Sequence, residues 1–513
     1  MSSRGWGGGR SSGPGGGHRV GRTLPLALAS ALLLAGCTTV GPDYRKPDAP
    51  VSAGWKQASL WTPATPQDLS RGDAWWTLFG DAQLDGLIAA IEPSNQNIRA
   101  AEAQYRQALA LITQARAGLF PTLAGSLQAT RSQSPAVTNA RTGVATQAGR
   151  ITSQDGGISA SWEVDLWGRI ARTLESSEAS AQASAADMAA ARLSARAALA
   201  QAYFQLRVAE RRAQLLGDTV EANRRALLIA ENRYAVGVVP RADVIQAQSQ
   251  LASVEAQLID TGIPREQLQH AIALLVGRPP AALSITPGPL PPLPAQGQLV
   301  LPSTLLERRP DIAAAERRVA AANAQIGVAT AAWFPSLTLS GAAGFRSTDL
   351  SNWITAPARY WSLGPALALT LFDAGRRSAV IEQNEAIYDQ RVAQYRQTVL
   401  AALVEVEDNL VALRVLADEA AAQARAVELA RQTLQITLNQ YKAGLVGFNN
   451  VVIAQTSLLS AEQAALSVLG RQFDASVVLV RALGGGWSTA DLAAALPGSK
   501  AGSKAGSKAG GKD

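Results

Sequence analysis

Apolar and polar residues alternate from Ile158 to Leu166, with Ile158, Ala160, Trp162, Val164 and Leu166 on one side and Ser159, Ser161, Glu163 and Asp165 on the other. A period of two is that of a β-strand with one greasy and one polar face. At Gly168-Arg169 the pattern changes. Roughly seventy residues follow with no proline until Pro240, rich in Ala, Leu, Glu, Gln and Arg, the strongest helix formers. At a rise of about 1.5 Å per residue such a helix is on the order of 100 Å long. The pattern then returns: Leu363, Leu367, Leu369 and Leu371 alternate up to Phe372-Asp373-Ala374-Gly375-Arg376, and a second proline-free run of about seventy residues follows.

The segments before each strand pair also match. A helix predicted over 97–119 stops at Phe120-Pro121, since the residue before proline is pushed out of the α region. Its counterpart opens at Pro310-Asp311-Ile312 and stops at Trp333-Phe334-Pro335. Leu123, Gly125, Leu127 and Ala129 alternate with polar neighbours and predict a first strand; a Ser/Thr/Gly-rich loop over 131–155 separates it from the second. In the other copy the strands are expected over 336–345 and 360–372. Phe120 and Phe334 are 214 positions apart, as are Ala101 and Ala315, whereas Gly168 and Gly375, Tyr234 and Tyr441, and Gly237 and Gly444 are each 207 apart. The length difference therefore falls within the hairpins, and the long helices match without a gap. This is an internal duplication.

The pattern divides the chain into a leader over 1–36, an N-terminal segment with a first short helix over 37–94, and a first repeat over 95–278. A linker over 279–302 follows, with eight prolines between Gly277 and Pro302, then a second repeat over 303–485 and a Gly/Ser/Lys tail over 486–513 expected to be disordered. Turn and hinge positions fall at Gly168, Gly375, Gly237, Gly444, Pro121 and Pro335. The returning helix of the first copy is expected over 242–276 as one element. In the second long helix, Leu403, Val406, Leu410, Leu413, Ala417, Ala420, Ala424, Val427, Leu434, Leu438 and Tyr441 form a coiled-coil seam broken by Arg431.

Two strands per copy make four, each about ten residues long, the length of a membrane-spanning β-strand. Four strands cannot close, and an open edge in lipid leaves backbone groups unpaired at several kcal/mol each. Closed barrels need about eight strands or more, so at least two chains must share one. Trp162, Trp167, Trp333, Trp353, Tyr360 and Trp361 stand near the strand ends, as an interfacial aromatic belt requires. Glu163 and Asp165 are expected to form an acidic band facing the lumen. The fold class is mainly α with membrane β.

Composition narrows the chemistry. Arg4, Arg10, Arg19 and Arg22 precede an apolar run over 24–35 that is too short to span as a helix and reads as a signal peptide. The run ends Leu34-Ala35-Gly36-Cys37, which resembles the lipobox of bacterial lipoproteins, whose cysteine becomes the first mature residue and carries acyl chains; Cys37 is the chain's one cysteine. Thr38 in place of Asp argues, by that resemblance, against retention at the inner membrane. Removing residues 1–36 takes away four arginines and no acid, so the formal charge falls from +7 to about +3. The remaining excess includes Lys500, Lys504, Lys508 and Lys512 in the tail. Nothing resembles a basic stripe with interleaved aromatics, so nucleic acid is not a partner. The mature chain keeps one histidine, His270, and no Gly-rich phosphate loop, so neither a metal cluster nor a serine–histidine site can be assembled. No cofactor other than the lipid on Cys37 is implied, and an enzyme is excluded.

The most specific stretches are Trp75-Trp76 with Phe79-Gly80-Asp81, Arg308-Arg309-Pro310-Asp311-Ile312, Phe334-Pro335-Ser336-Leu337, Leu371-Phe372-Asp373-Ala374-Gly375-Arg376, and the paired Tyr234…Gly237 and Tyr441…Gly444. Together they resemble the outer membrane factor family, the TolC-like efflux ducts, and within it the NodT-type lipoproteins. The resemblance covers nearly all of the mature chain. It implies a homotrimer with a twelve-stranded barrel in outer-membrane lipid and a long α-helical barrel in the periplasm. It also implies docking to a periplasmic adaptor and an inner-membrane pump, for outward passage of small molecules. In that family, residues just after the two helix turns hold the periplasmic mouth. Asp243 matches the first-copy aspartate, Asn450 and Ile453 stand at the second-copy positions, Tyr441 matches the latching tyrosine, and Val446 stands where an arginine is expected. The resemblance thus implies a gate of Asp243, Tyr441 and Asn450. Two other readings fit the same pattern: a duct for polypeptide or polysaccharide secretion, and a lipid-anchored periplasmic coiled coil that spans nothing.

Overall fold

The computed structural model describes residues 39–56, 62–63, 74–138, 145–146, 149–293, 298–299 and 304–495. The leader, Cys37 and the tail beyond residue 495 lie outside the described residues. Along the chain the principal elements are α1 (Ala82–Ser94), α2 (Gln96–Ala117), β1 (Thr122–Ser134), β2 (Gly149–Val164), α3 (Arg169–Ala235), α4 (Arg241–Asp260) and α5 (Gly262–Leu275). They continue as α6 (Pro310–Ala331), β3 (Ser336–Ser347), β4 (Arg359–Ala368), α7 (Arg376–Lys442), α8 (Phe448–Ala482) and α9 (Ala490–Ala495). The long helices α3 and α7 have 67 residues each, as their proline-free runs require. They fall into two compact units, one around the strands and one built from the helical regions.

The first unit is an antiparallel sheet in the order β1-β2-β3-β4. Its register aligns Leu123 with Ala160, Trp162 with Leu339 and Gly341 with Leu363, so one face is apolar across all four strands. That face is bare: Leu123, Leu127, Ile158, Trp361 and Leu363 are between 63% and 80% exposed. The opposite face carries mostly small and polar residues. β1 and β2 run further than the alternation predicts, pairing from Thr130 with Ser153 to Ser134 with Gly149. Much of the expected loop over 131–155 is therefore strand. Polar residues on both faces conceal it, because alternation is visible only where one face is apolar. At the other end β4 stops at Ala368, short of the expected 372.

At the strand–helix junctions the acids are engaged locally. Arg169 binds Glu163 through two hydrogen bonds of 2.9 and 2.8 Å, and Asp165 accepts the Ala171 N–H of the first turn of α3 at 2.8 Å. The expected acidic band is therefore an ion pair and a helix cap. Gly168 and Gly375 both have positive φ, 77° and 86°, which serves the sharp turn into each long helix. Pro121 and Pro335 each precede a strand, and Trp167 stacks on Phe334 at 4.6 Å while donating to the Pro335 carbonyl at 2.8 Å. Most of the aromatic belt stands at strand ends as expected. Tyr360 is the exception: it lies on the polar face, bonded to Asp155.

The second unit packs α1 and a tryptophan-rich turn onto α3, α5 and α8, with Phe79, Phe204 and Phe473 in ring contact at its centre. Among the described residues α8 alone is apolar enough to cross a membrane by composition, yet Val451, Phe473 and Val477 are core. The duplication extends to the caps. α5 ends with Gly277 and Arg278 bonding back to Leu274 and Ala273, and α8 ends with Gly484 and Gly485 bonding to Arg481 and Val480, the same Schellman geometry 207 residues on. Asn95 donates to the Leu275 carbonyl at 2.7 Å, and Arg309, its counterpart, donates to that of Ala482 at 3.0 Å.

Four expectations change here. The returning helix of the first copy breaks at Thr261, because Pro264 cannot bond the Asp260 carbonyl; Arg471 stands at the matching position and α8 is continuous. The Pro-rich stretch is no free linker as far as Leu293: Ile285 is buried, and the Thr286 carbonyl accepts from Arg207 at 3.0 Å. The tail is ordered to residue 495, where α9 and Trp487 pack near Ala186 and Ala314 and the Thr489 N–H bonds the Glu307 carbonyl at 2.8 Å. In α7 the seam follows a heptad through Val399, Val406, Leu413, Ala420, Val427, Leu434 and Tyr441, with Ala402, Asn409, Leu416, Gln423, Ala430 and Thr437 as its second column, all buried or half-buried. Ala417 and Ala424 are exposed, and Arg431 lies outside the seam, paired with Glu462 at 2.9 Å. Polar Asn409, Gln423 and Thr437 hid the second column.

The two kinds of glycine turn give a stability test. A Cβ at Gly484 would lie 2.1 Å from the Arg308 carbonyl oxygen, whereas one at Gly237 meets nothing within 4 Å. Gly237→Ala should cost about 1–2 kcal/mol, from its positive φ alone. Gly484→Ala should cost a further 1–3 kcal/mol or so from overpacking, giving a distinctly lower thermal unfolding midpoint in detergent.

Candidate functional site: the tips of the helical hairpins

Each long helix turns back at a glycine. Gly237 donates to Tyr234 and Val238 to Arg233, both at 2.9 Å; Gly444 donates to Tyr441 and Leu445 to Gln440, again both at 2.9 Å. The left-handed φ of Gly237 and Gly444, 75° and 79°, permits both turns. The backbone of the two tips is therefore the same. The side chains are not. Tyr234 is 46% exposed, while Tyr441 is 2% exposed and packs edge-on against Phe448 at 5.3 Å, beside Ala226, Ala230 and Ala247.

What holds the tips together is a residue the sequence reading missed. Arg233, in the last turn of α3, donates from Nη1 to the carbonyls of Tyr441 and Lys442, both at 2.6 Å, and its guanidinium lies 5.0 Å from the Tyr441 ring centre. A cation at the carbonyl end of a helix meets the negative pole of its dipole, and the ring face adds a cation–π contact. The 207-residue offset pairs Arg233 with Gln440, so no symmetry argument points to it. The available signal was a cation in the last turn of a long helix, one residue before a repeated tyrosine.

Of the sequence-derived gate residues, Asp243 and Tyr441 are brought together and Asn450 is not. Asp243 lies in the first turn of α4. Burial, then the nearby Asp243 carboxylate, push the Tyr441 hydroxyl above its ordinary pKa, with Arg233 opposing. That hydroxyl makes no hydrogen bond of standard geometry. Asn450 is exposed; its neighbour Asn449 accepts from Gln246 at 2.8 Å, a second link between the hairpins. His270 is exposed, and no group of metal-ligating side chains exists among the described residues. The arrangement can latch and release two helix pairs, and it holds no reactive group.

Comparison with known proteins follows the same outline. A profile described as outer membrane efflux protein matches residues 87–278 and 301–485, the two repeats. The toluene efflux pump outer membrane protein TtgF of Pseudomonas putida is 32% identical over 91% of this chain and 97% of its own length. The pyoverdine export outer membrane protein OpmQ of Pseudomonas aeruginosa is 33% identical over 90% and 97%. The solved outer-membrane channel OprN superposes with a TM-score of 0.80 at 33% identity, covering 88% of this chain and all of that one.

Arg233→Met should cost about 1–2 kcal/mol locally and accelerate amide exchange of residues 440–445. Tyr441→Phe should leave that exchange near the wild-type rate, because it removes a hydroxyl that makes no hydrogen bond of standard geometry. Hydrogen-exchange mass spectrometry reads both.

Proposed function

This chain belongs to the outer membrane efflux protein family and is the outer-membrane channel component of an efflux pump, not an enzyme; on that premise we propose that three copies close a twelve-stranded barrel through which the pump's other components discharge small molecules. The observation that carries the trimer is the sheet itself. β1 and β4 each pair on one side only, and the apolar face between them is exposed. Lipid tolerates the face but not the edges, and edge-to-edge pairing of identical four-stranded sheets satisfies both. The partners on the inner side are a periplasmic adaptor and an inner-membrane pump, and the covalent lipid sits on Cys37. The names of TtgF and OpmQ assign those relatives toluene efflux and pyoverdine export, and both substrates are small molecules. Four strands per chain and family membership leave no support for a coiled coil that spans nothing.

The periplasmic mouth is held shut at the hairpin tips. Within each copy Arg233 bolts the end of α7 to α3, Asp243 stands against Tyr441, and Gln246 bonds Asn449. Asn450, exposed, faces the neighbouring copy across the mouth. The bolt ends on main-chain carbonyls, so Val446 and Ile453 need not be polar for closure.

Native mass spectrometry of protein extracted from Gram-negative membranes should give a trimer of acylated chains beginning at Cys37; a monomer would sink the shared barrel. In planar bilayers Arg233→Ala should raise the basal conductance. Gln246→Cys with Asn449→Cys should lower it when oxidised and restore it when reduced. Equal conductance in both redox states, with the disulfide verified, would remove the tip from the gate.

A further inference from the structure

The polar face of the sheet carries a charged cluster that the efflux reading leaves unexplained. Below it, Gly157, Ser159 and Ser161 of β2 and Gly344, Ala342 and Ser340 of β3 are small and uncharged. Near the hairpin end, Asp155 stands directly opposite Arg346 in the β2–β3 register. Arg346 Nε donates to Asp155 Oδ2, the Tyr360 hydroxyl donates to Asp155 Oδ1 at 3.1 Å, and the Arg346 guanidinium lies 5.0 Å from the Tyr360 ring centre. Three residues on three adjacent strands thus form one cluster, with Tyr360 opposite Gly344 and reaching diagonally to Asp155. Gly157 makes room for it: a Cβ there would lie 2.8 Å from the Tyr360 hydroxyl oxygen.

We propose that Asp155, Arg346 and Tyr360 form a ring at the outer end of the pore that sets its charge selectivity, a role that rests on the trimeric channel reading above. The apolar face of the sheet belongs to lipid, so the alternate residues face the lumen. Arg346 is the eleventh residue of β3, counted from Ser336, and strands of about nine to eleven residues cross the bilayer. The Asp155–Arg346 pair therefore stands where the lumen opens to the exterior. The other charge on this face, Glu163, is held by Arg169 at the opposite end. Arg346 is 64% exposed and Asp155 21%. Passing solutes therefore meet the guanidinium first, with the carboxylate beneath balancing it. Three copies give three arginines and three aspartates around one opening, neutral in sum. Charged solutes are the class this ring discriminates, because the guanidinium is the more exposed partner of each pair and fixed charge at the surface of a narrow lumen acts on every ion that passes.

The test is the reversal potential of the full-length protein in planar bilayers under a potassium chloride gradient, on preparations shown to be trimers. Arg346→Gln leaves the carboxylates unbalanced and should raise the cation-to-anion permeability ratio roughly sevenfold, since about one kT of potential favours cations and disfavours anions by about threefold each. Asp155→Asn should lower the ratio by a similar factor, and the double variant should return it to the wild-type value. Wild-type selectivity in both single variants, or a double variant as shifted as either, overturns the ring while leaving the channel standing. A wild-type protein that forms no pore overturns the channel reading and the ring with it.

Discussion

The backbone polar groups at the edges of an open sheet are the constraint on which the rest of this protein depends. Four strands offer three internal ladders and two unpaired edges, β1 and β4, and one face is too apolar for water. In a soluble protein such an edge is blunted with charges or covered by a helix. Here Leu123 on β1 and Leu363 on β4 are exposed instead, which suits lipid and makes pairing with another copy the way to satisfy the ladders. The proposed trimer rests on hydrogen-bond accounting, before any particular contact is considered.

Duplication supplies the scaffold, and departures from it supply the chemistry. The glycine caps at Gly237 and Gly444, and at Gly277 and Gly484, repeat with the same backbone bonds, because a Schellman turn depends on main-chain groups and one left-handed residue. Side-chain roles diverge freely on that frame. Asn95 and Arg309 do the same capping with different donors, Pro264 breaks a helix that Arg471 leaves whole, and only one of the two repeated tyrosines is buried. The Arg233 bond to the carbonyl end of α7 is the fullest case. Its acceptor is backbone, so it survives sequence change at the receiving hairpin.

Electrostatics in the strand unit is organised in pairs. Glu163 with Arg169, Asp373 with Arg377 and Asp155 with Arg346 each bring opposite charges together within a few residues or across one ladder. A lumen lined this way presents little net charge to a solute. Asp165, beside the first pair, and Asp373 of the second also order the entry into α3 and α7, since they accept first-turn N–H groups of those helices. Arg346, the most exposed of the three arginines, is the one left to act on the contents of the pore.

Local periodicity was legible without coordinates. Alternation at Ile158–Leu166, two proline-free runs and the fixed 207-residue offset determined the strands, the long helices and the duplication. Each is a relation between residues a few positions apart, or between two copies of one pattern. Where both faces of a strand are mostly polar, as over 131–134 and 149–155, the signal vanished, and where polar residues sit in a coiled-coil seam, as at Gln423, it pointed to exposed Ala417 and Ala424. The tertiary structure alone decided that Glu163 and Asp165 serve the turn beside them, that the Pro-rich stretch is held by Arg207, and that Arg233 reaches Tyr441 and Arg346 reaches Asp155. The last three pairs of partners are separated by 79 to 208 positions. No local pattern encodes such a meeting, because it depends on how whole helices and strands pack and not on the residues that flank it.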